Sequence, residues 1–191
     1  MNRSKLRDLT DSELVQHLLD QQSNLCFDEL YARYSSKVYG KAISLLKDES
    51  IAQDVTQDIF VKIFSKIAKF QGASKLSTWI YSITYNTCID YIRKQKRGRF
   101  IKDLEDERIE DKVEEVPDSE LLEVRIDRLE KILELLPVED KAILLMKYKD
   151  EMSIKDICSV THKAESAVKM KIKRAKTKFV NIHKDLYKEV Y

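Results

Sequence analysis

Residues 153–179 read SIKDICSVTHKAESAVKMKIKRAKTKF. Ser153 and Asp156 stand at capping-box spacing and open a short helix over IKDICSV. Thr161-His162-Lys163 makes a tight turn. A longer helix follows, AESAVKMKIKRAKTKFVNIH, with Ala167, Val168, Ile172, Ala175 and Phe179 in phase on one face. Glu165, Ser166, Lys169, Met170, Lys173 and Arg174 are then left facing outward. Short helix, turn and longer basic helix is the helix-turn-helix pattern, whose second helix offers its side chains to the DNA major groove. Residues 163–178 carry seven Lys/Arg and one acid, Glu165. A basic amphipathic helix can also lie on a membrane surface, but such a helix needs neither the capped helix nor the turn ahead of it.

Working back along the chain, Leu122, Ile126, Leu129, Leu133 and Leu136 form a helical stripe that stops at Pro137. Pro137 suits the first turn of the next helix, VEDKAILLMKYKD. Before that lies GRFIKDLEDERIEDKVEEVPDSELLEV, residues 98–124, with four basic and eleven acidic residues. Its centre has few apolar residues and no helical stripe, so it reads as an extended or disordered linker. Residues 1–97 hold 15 Lys/Arg against 11 Asp/Glu, and residues 125–191 hold 16 against 11. The overall charge of +2 therefore conceals two basic modules joined by an acidic connector.

The N-terminal module is helical throughout. Thr10-x-x-Glu13 is a capping box before a helix over about 11–20. Phe27, Leu30, Tyr31, Tyr34 and Val38 share one helical face, as do Ala52, Val55, Ile59, Phe60, Ile63, Phe64 and Ile67. The latter helix is expected to end near Phe70-Gln71-Gly72. Ser77 or Thr78 starts a long helix through about Lys96, with Gly98 as its stop. About four helices are expected here. Asp54, Gln57 and Asp58 cluster on a polar face at helical spacing. Arg93, Lys94, Lys96, Arg97, Arg99 and Lys102 follow a helix bearing Trp79, Tyr81, Tyr85 and Tyr91, and such a cationic run suits a polyanion. The chain is thus expected to be all-α, with two small helical domains (1–97 and 125–191) joined by a linker.

Composition agrees. Of 191 residues, 3 are Gly and 2 are Pro, where average usage gives about 13 and about 10. That scarcity argues against turn-rich β folds and Gly-rich phosphate loops. Cys26, Cys88 and Cys158 are scattered, with no C-x-x-C, which suggests reduced thiols in the cytoplasm. There is no run of about 18 apolar residues and no signal-peptide core near the start, so no membrane insertion is expected. The chain has no P-loop, G-x-S-x-G or H-E-x-x-H motif. Neither His17, His162 nor His183 pairs with a credible nucleophile, and Cys158 with His162 lacks two further ligands for zinc. No catalysis, metal or cofactor is expected.

FDELYARYSSKVYGKA, IAQDVTQDIFVKIFSKIAKFQG and STWIYSITYNTCIDYIRKQKR, followed by ILELLPVEDKAILLMKY, SIKDICSVT and ESAVKMKIKRAKTKF, occur in the order and spacing of one known family. The chain resembles a small bacterial sigma factor of the sigma-70 superfamily, extracytoplasmic-function branch, over about 25–97 and 126–180. The resemblance implies domain 2 in the first half and domain 4 in the second. It also implies a factor that binds core RNA polymerase, recognises the −35 and −10 promoter elements and promotes melting. Asp54, Gln57, Asp58 and Phe60 match the surface for the polymerase clamp helices. Gly72, Ala73, Ser74, Lys75, Leu76, Ser77 and Thr78, with Trp79, match the loop that captures a flipped −10 base, and Asn86 lines the same site. Arg93, Lys94 and Arg97 match the basic helix end that holds −10 DNA. Glu165, Ser166, Lys169, Met170, Lys173 and Arg174 match the −35 helix. An anti-sigma factor is an implied partner.

The family's usual Gly in the helix-turn-helix turn is His162 here, which implies a strained or altered turn. Met170 replaces a frequent small polar residue. A competing class, a dimeric helix-turn-helix regulator reading a palindrome, would leave the DVTQDIF face and the acidic connector without a role.

Overall fold

The computed structural model describes residues 3–21, 24–98, 116–118, 121 and 126–187. The middle of the acidic connector, Arg99, Lys102 and Leu122 lie outside the described residues, as do the side chains of Lys96 and Arg97. The chain divides into two compact units, residues 1–100 and 101–191. The described residues contain helices and no strand.

Helices α1 (Arg3–Arg7), α2 (Asp11–Gln21), α3 (Asn24–Leu46), α4 (Glu49–Lys66) and α5 (Leu76–Gly98) build the first unit. The short α1 has no sequence periodicity to betray it. Tertiary contact holds it instead: Leu6 is 1% exposed, and Arg33 of α3 donates to the carbonyls of Leu6 (2.7 Å) and Arg7 (3.3 Å). These carbonyls lie at the C-terminal end of α1, where no further turn can satisfy them. The capping box before α2 is present, with Thr10 and Glu13 bonded reciprocally at 2.7 and 3.3 Å. Hydrogen bonds from the Thr10 hydroxyl and then the Thr10 N–H hold the Glu13 carboxyl below its usual range.

Helix α3 lies at the centre and packs on α2, α4 and α5. Its buried side is Cys26, Leu30, Tyr34, Val38, Ala42 and Leu45. Tyr31, expected on that face, is 46% exposed. Asp48 caps α4 by accepting from the Ile51 N–H at 2.9 Å. Ala52, Val55, Ile59 and Ile63 are buried, whereas Phe64 is not. A 3-10 turn, Ile67–Lys69, ends α4 close to the expected point. Gly72 then takes φ +70°, a backbone that costs a side-chain-bearing residue about 1–2 kcal/mol. Helix α5 begins at Leu76, earlier than expected, because buried Leu76 (4%) seats its first turn. Burial pushes the Cys88 thiol on α5 up to about 12.

The second unit holds α6 (Ile126–Leu135), α7 (Val138–Leu144), α8 (Ile154–Thr161) and α9 (Glu165–Leu186). The innermost residue of α6 is Ile132 (0% exposed), flanked by half-buried Leu129 and Leu133. Pro137 stands just ahead of α7, which continues as a wider π turn over Leu145–Lys149. Asp140 of α7 is 0% exposed. It is held by two cations of α9: Lys178 Nζ donates to Oδ2 at 2.9 Å, and Lys171 Nζ lies 2.7 Å from Oδ1. The Lys171 contact is ionic, without hydrogen-bond alignment.

The linker assignment for 98–124 needs correction at its end. Val116 is 9% exposed, and Asp118 accepts from Tyr148 Oη at 2.8 Å and from Lys176 Nζ at 2.6 Å. An apolar side chain beside an acid with two donors within reach gives this stretch a reason to dock, which a count of acids and apolar residues does not reveal.

Candidate nucleic-acid and polymerase interfaces

Helix α4 has a surface face in phase with its sequence. Asp54, Gln57 and Asp58 are exposed, one turn apart, as expected from their spacing. Phe60, matched to this surface by the resemblance, is 4% exposed and turned inward, as its place in the apolar stripe implies, with its ring centre 4.5 Å from that of Tyr31. The surface instead continues along α4 through Val61 (68%) and Phe64 (57%). Phe64 meets Phe27 of α3 edge to face at 4.9 Å. Val61 follows Asp54 by seven residues, so it belongs with the polar face and not with the core stripe. That phase is a legible signal that hydrophobicity alone obscures. Carboxylates beside exposed aliphatic and aromatic groups make a mixed surface of the kind proteins bury against one another.

The second surface lies at the start of α5. Gly72, Ala73 and Lys75 are exposed and Ser74 is half-buried. Leu76 (4%) and Thr78 (6%) are buried, so they support the loop from below and do not line it. Ser77 is exposed in the first turn. Half-buried Trp79 lies against Phe70 at the loop's other end, with ring centres 5.4 Å apart and planes tilted by 53°. Asn86 is two turns along the same helix face and also half-buried, its Nδ2 donating to the Ser82 carbonyl at 2.8 Å. Trp79 and Asn86 thus share one face, about 10 Å apart at the helical rise. Arg93 and Lys94 are exposed farther along α5.

The third surface is α9. The capping box before α8 is complete: the Asp156 N–H donates to Ser153 Oγ at 3.1 Å, and the Ser153 N–H donates to Asp156 Oδ2 at 3.3 Å. Thr161 is the last residue of α8, so the turn is His162-Lys163-Ala164. His162 adopts φ 55°, ψ 34°, the left-handed conformation expected at that position. Val168, Ile172, Ala175 and Phe179 are the buried stripe. Ala167, expected among them, is exposed, because its register falls outside their arc. Glu165, Ser166, Lys169, Met170 and Arg174 are exposed and Lys173 is half-exposed. Lys169 Nζ sits 2.6 Å from Glu165 Oε1. The pair holds the Glu165 carboxyl down and the Lys169 ammonium up. No group of His, Cys, Asp and Glu among the described residues is arranged to hold a metal. None of the described helices is long and apolar enough to cross a membrane.

The family model for Sigma-70 region 2 matches residues 30–98, and that for Sigma-70, region 4 matches 126–179. The chain is 28% identical over 181 residues to the ECF RNA polymerase sigma-E factor of Haemophilus influenzae, covering 91% of this chain and 95% of that protein. It is 30% identical over 160 residues to the ECF RNA polymerase sigma factor SigW of Bacillus subtilis, covering 78% and 84%. Two solved structures share the fold at 20% identity. CnrH, in complex with the cytosolic domain of CnrY, has a TM-score of 0.61 over 90% of this chain and 96% of its own. The sigma factor RpoE of Bartonella quintana, in complex with the anti-sigma factor NepR, has a TM-score of 0.59 over 86% and 98%. With both halves matched in order and the relatives aligned across most of their length, the chain belongs to the extracytoplasmic-function branch of the sigma-70 family of RNA polymerase sigma factors.

Proposed function

We propose that this chain directs core RNA polymerase to promoters through the three surfaces just described, with 1–97 acting as domain 2, 98–124 as connector and 125–191 as domain 4. The observation that carries the reading is the exposed face of α4. Asp54, Gln57 and Asp58 stand clear of the core, with Val61 and Phe64 beside them. A lone DNA-binding module has no use for such a face, whereas a polymerase subunit must dock on protein as well as DNA. Phe60 acts from beneath, through Tyr31.

At the −10 element, Trp79 and Asn86 with Gly72, Ala73, Ser74, Lys75 and Ser77 receive an extruded base, while Arg93, Lys94 and Arg97 hold the adjacent backbone. Leu76 and Thr78 brace that loop. Extrusion costs a few kcal/mol of unstacking, and a pocket that binds only the flipped base offsets it. Melting on this account requires no catalytic residue, metal or cofactor, and the protein is not an enzyme. At the −35 element, Glu165, Ser166, Lys169, Met170, Lys173 and Arg174 face the major groove. Lys and Arg either bond guanine edges or neutralise phosphates, and Met170 offers an apolar contact to a thymine methyl. The protein works in the cytoplasm. An anti-sigma factor, as bound by the Bartonella relative, is a further proposed partner.

The decisive measurement is core polymerase binding by Asp54→Ala and Gln57→Ala. Each should weaken capture by roughly tenfold (about 1–2 kcal/mol) and reduce run-off transcription in parallel. Unchanged capture by the double variant would remove α4 from the polymerase interface.

A further inference from the structure

Resting on the −35 reading above, a second role emerges for the acidic connector. Glu165, Lys169 and Lys176 are spaced four and seven residues apart, so at 100° per residue their side chains leave α9 within about 40° of one another. They form one flank of the helix, beside Lys173 on its outward side. In the structure each lysine of this flank has a carboxylate partner. Lys169 has Glu165 at 2.6 Å. Lys176 has Asp118, also at 2.6 Å, from a residue 58 positions away. Tyr148 steadies the same Asp118 oxygen at 2.8 Å. Buried Val116 seats the segment two residues earlier. The Lys176 side chain is left 14% exposed, whereas Asp118 is 60% exposed.

We propose that Asp118 is an intramolecular stand-in for a DNA phosphate, neutralising Lys176 in the free chain and giving way when a duplex docks along this flank of α9. A solvent-exposed carboxylate is a weak partner, because water and salt screen it. A phosphate gains from the release of condensed counterions as well as from charge. The exchange therefore favours DNA, yet free protein shows less cation to non-specific DNA than its sequence contains. The two donors on Asp118 hold its carboxyl below the usual range, so it stays charged at neutral pH.

The test is a salt titration of the full chain binding a short random-sequence duplex. Asp118→Asn should tighten binding several-fold near about 0.1 M salt and steepen the slope of log K against log salt by about 0.9, one added phosphate contact. Placed in both backgrounds, Lys176→Gln should erase the difference between the native chain and the Asp118→Asn variant. Because Asp118 is mostly exposed, its replacement leaves the core untouched, which a thermal melt verifies. A fully folded Asp118→Asn with unchanged or weaker binding overturns the proposal. The double variant Lys173→Gln/Arg174→Gln separates the two readings. If it loses binding while Asp118→Asn has no effect, the stand-in alone fails. If neither changes binding, the −35 assignment fails and takes the stand-in with it.

Discussion

His162 and Gly40 are residues where backbone conformation and sequence are at odds, in opposite senses. His162 is held left-handed at φ 55° between α8 and α9. A Cβ there meets the following carbonyl, at a cost of about 1–2 kcal/mol. Gly40 is the converse: it lies inside α3, with nothing within 4 Å of where a Cβ would stand. A mid-helix glycine gives up more backbone entropy on folding than alanine does. Gly40→Ala should therefore raise stability by about 0.5–1 kcal/mol, and His162→Gly by a similar amount, both read as denaturation midpoints. Neither substitution touches a proposed interface except through the turn. His162 stands out in the sequence already, because a turn of that length between two helices needs a left-handed residue. Gly40 does not explain itself there, since open space beside a helix leaves no trace in a pattern of apolar spacings.

Among elements, α9 is the one whose placement matters most, and a buried charge places it. Asp140 of α7 meets Lys171 and Lys178, with the two lysine side chains 21% and 40% exposed. Asp140→Asn should cost about 2–3 kcal/mol. That is less than the loss of a fully enclosed pair, because both lysines can turn their ammonium groups to water. Promoter binding should weaken with it while Lys169, Lys173 and Arg174 remain in place, since the helix that carries them loses its seat. Amide exchange across α7 and α9, measured beside DNA affinity, checks both parts. Asp140 is invisible to sequence reading. An acid within VEDKAILL reads as first-turn dipole decoration, and its two partners are over thirty residues away. Val61 and Phe64 are hidden for another reason. Apolar residues in a helix read as core, although the phase of Val61 on α4 places it with Asp54 and that of Phe64 sets it beside Gln57. The capping boxes, by contrast, are fully legible, because their partners lie three residues apart and need no tertiary context.

At the level of the whole chain, each unit has its own buried centre. Leu30 lies at 0% exposure in the first and Phe179 at 2% in the second. Leu30→Ala should cost about 2–5 kcal/mol and lower the unfolding transition of residues 1–100. The transition of 101–191 should stay where it was, as resolved by pulsed proteolysis with mass mapping. Coincident loss of both units would mean that they fold as one. Division into two basic modules is readable from charge and periodicity, because core-forming stripes are local. The docking of Val116 and Asp118 is not, because it depends on Tyr148 and Lys176 being brought near by the fold. Cys88 carries a practical consequence. Its thiol is sealed inside the first unit and barely ionised near neutral pH, while Cys158 of the second is half-exposed. Since only the thiolate alkylates, a maleimide pulse should mark Cys158 promptly and Cys88 only when its unit opens. The native chain thus carries an internal clock for breathing of its first unit, readable by mass without any engineered label.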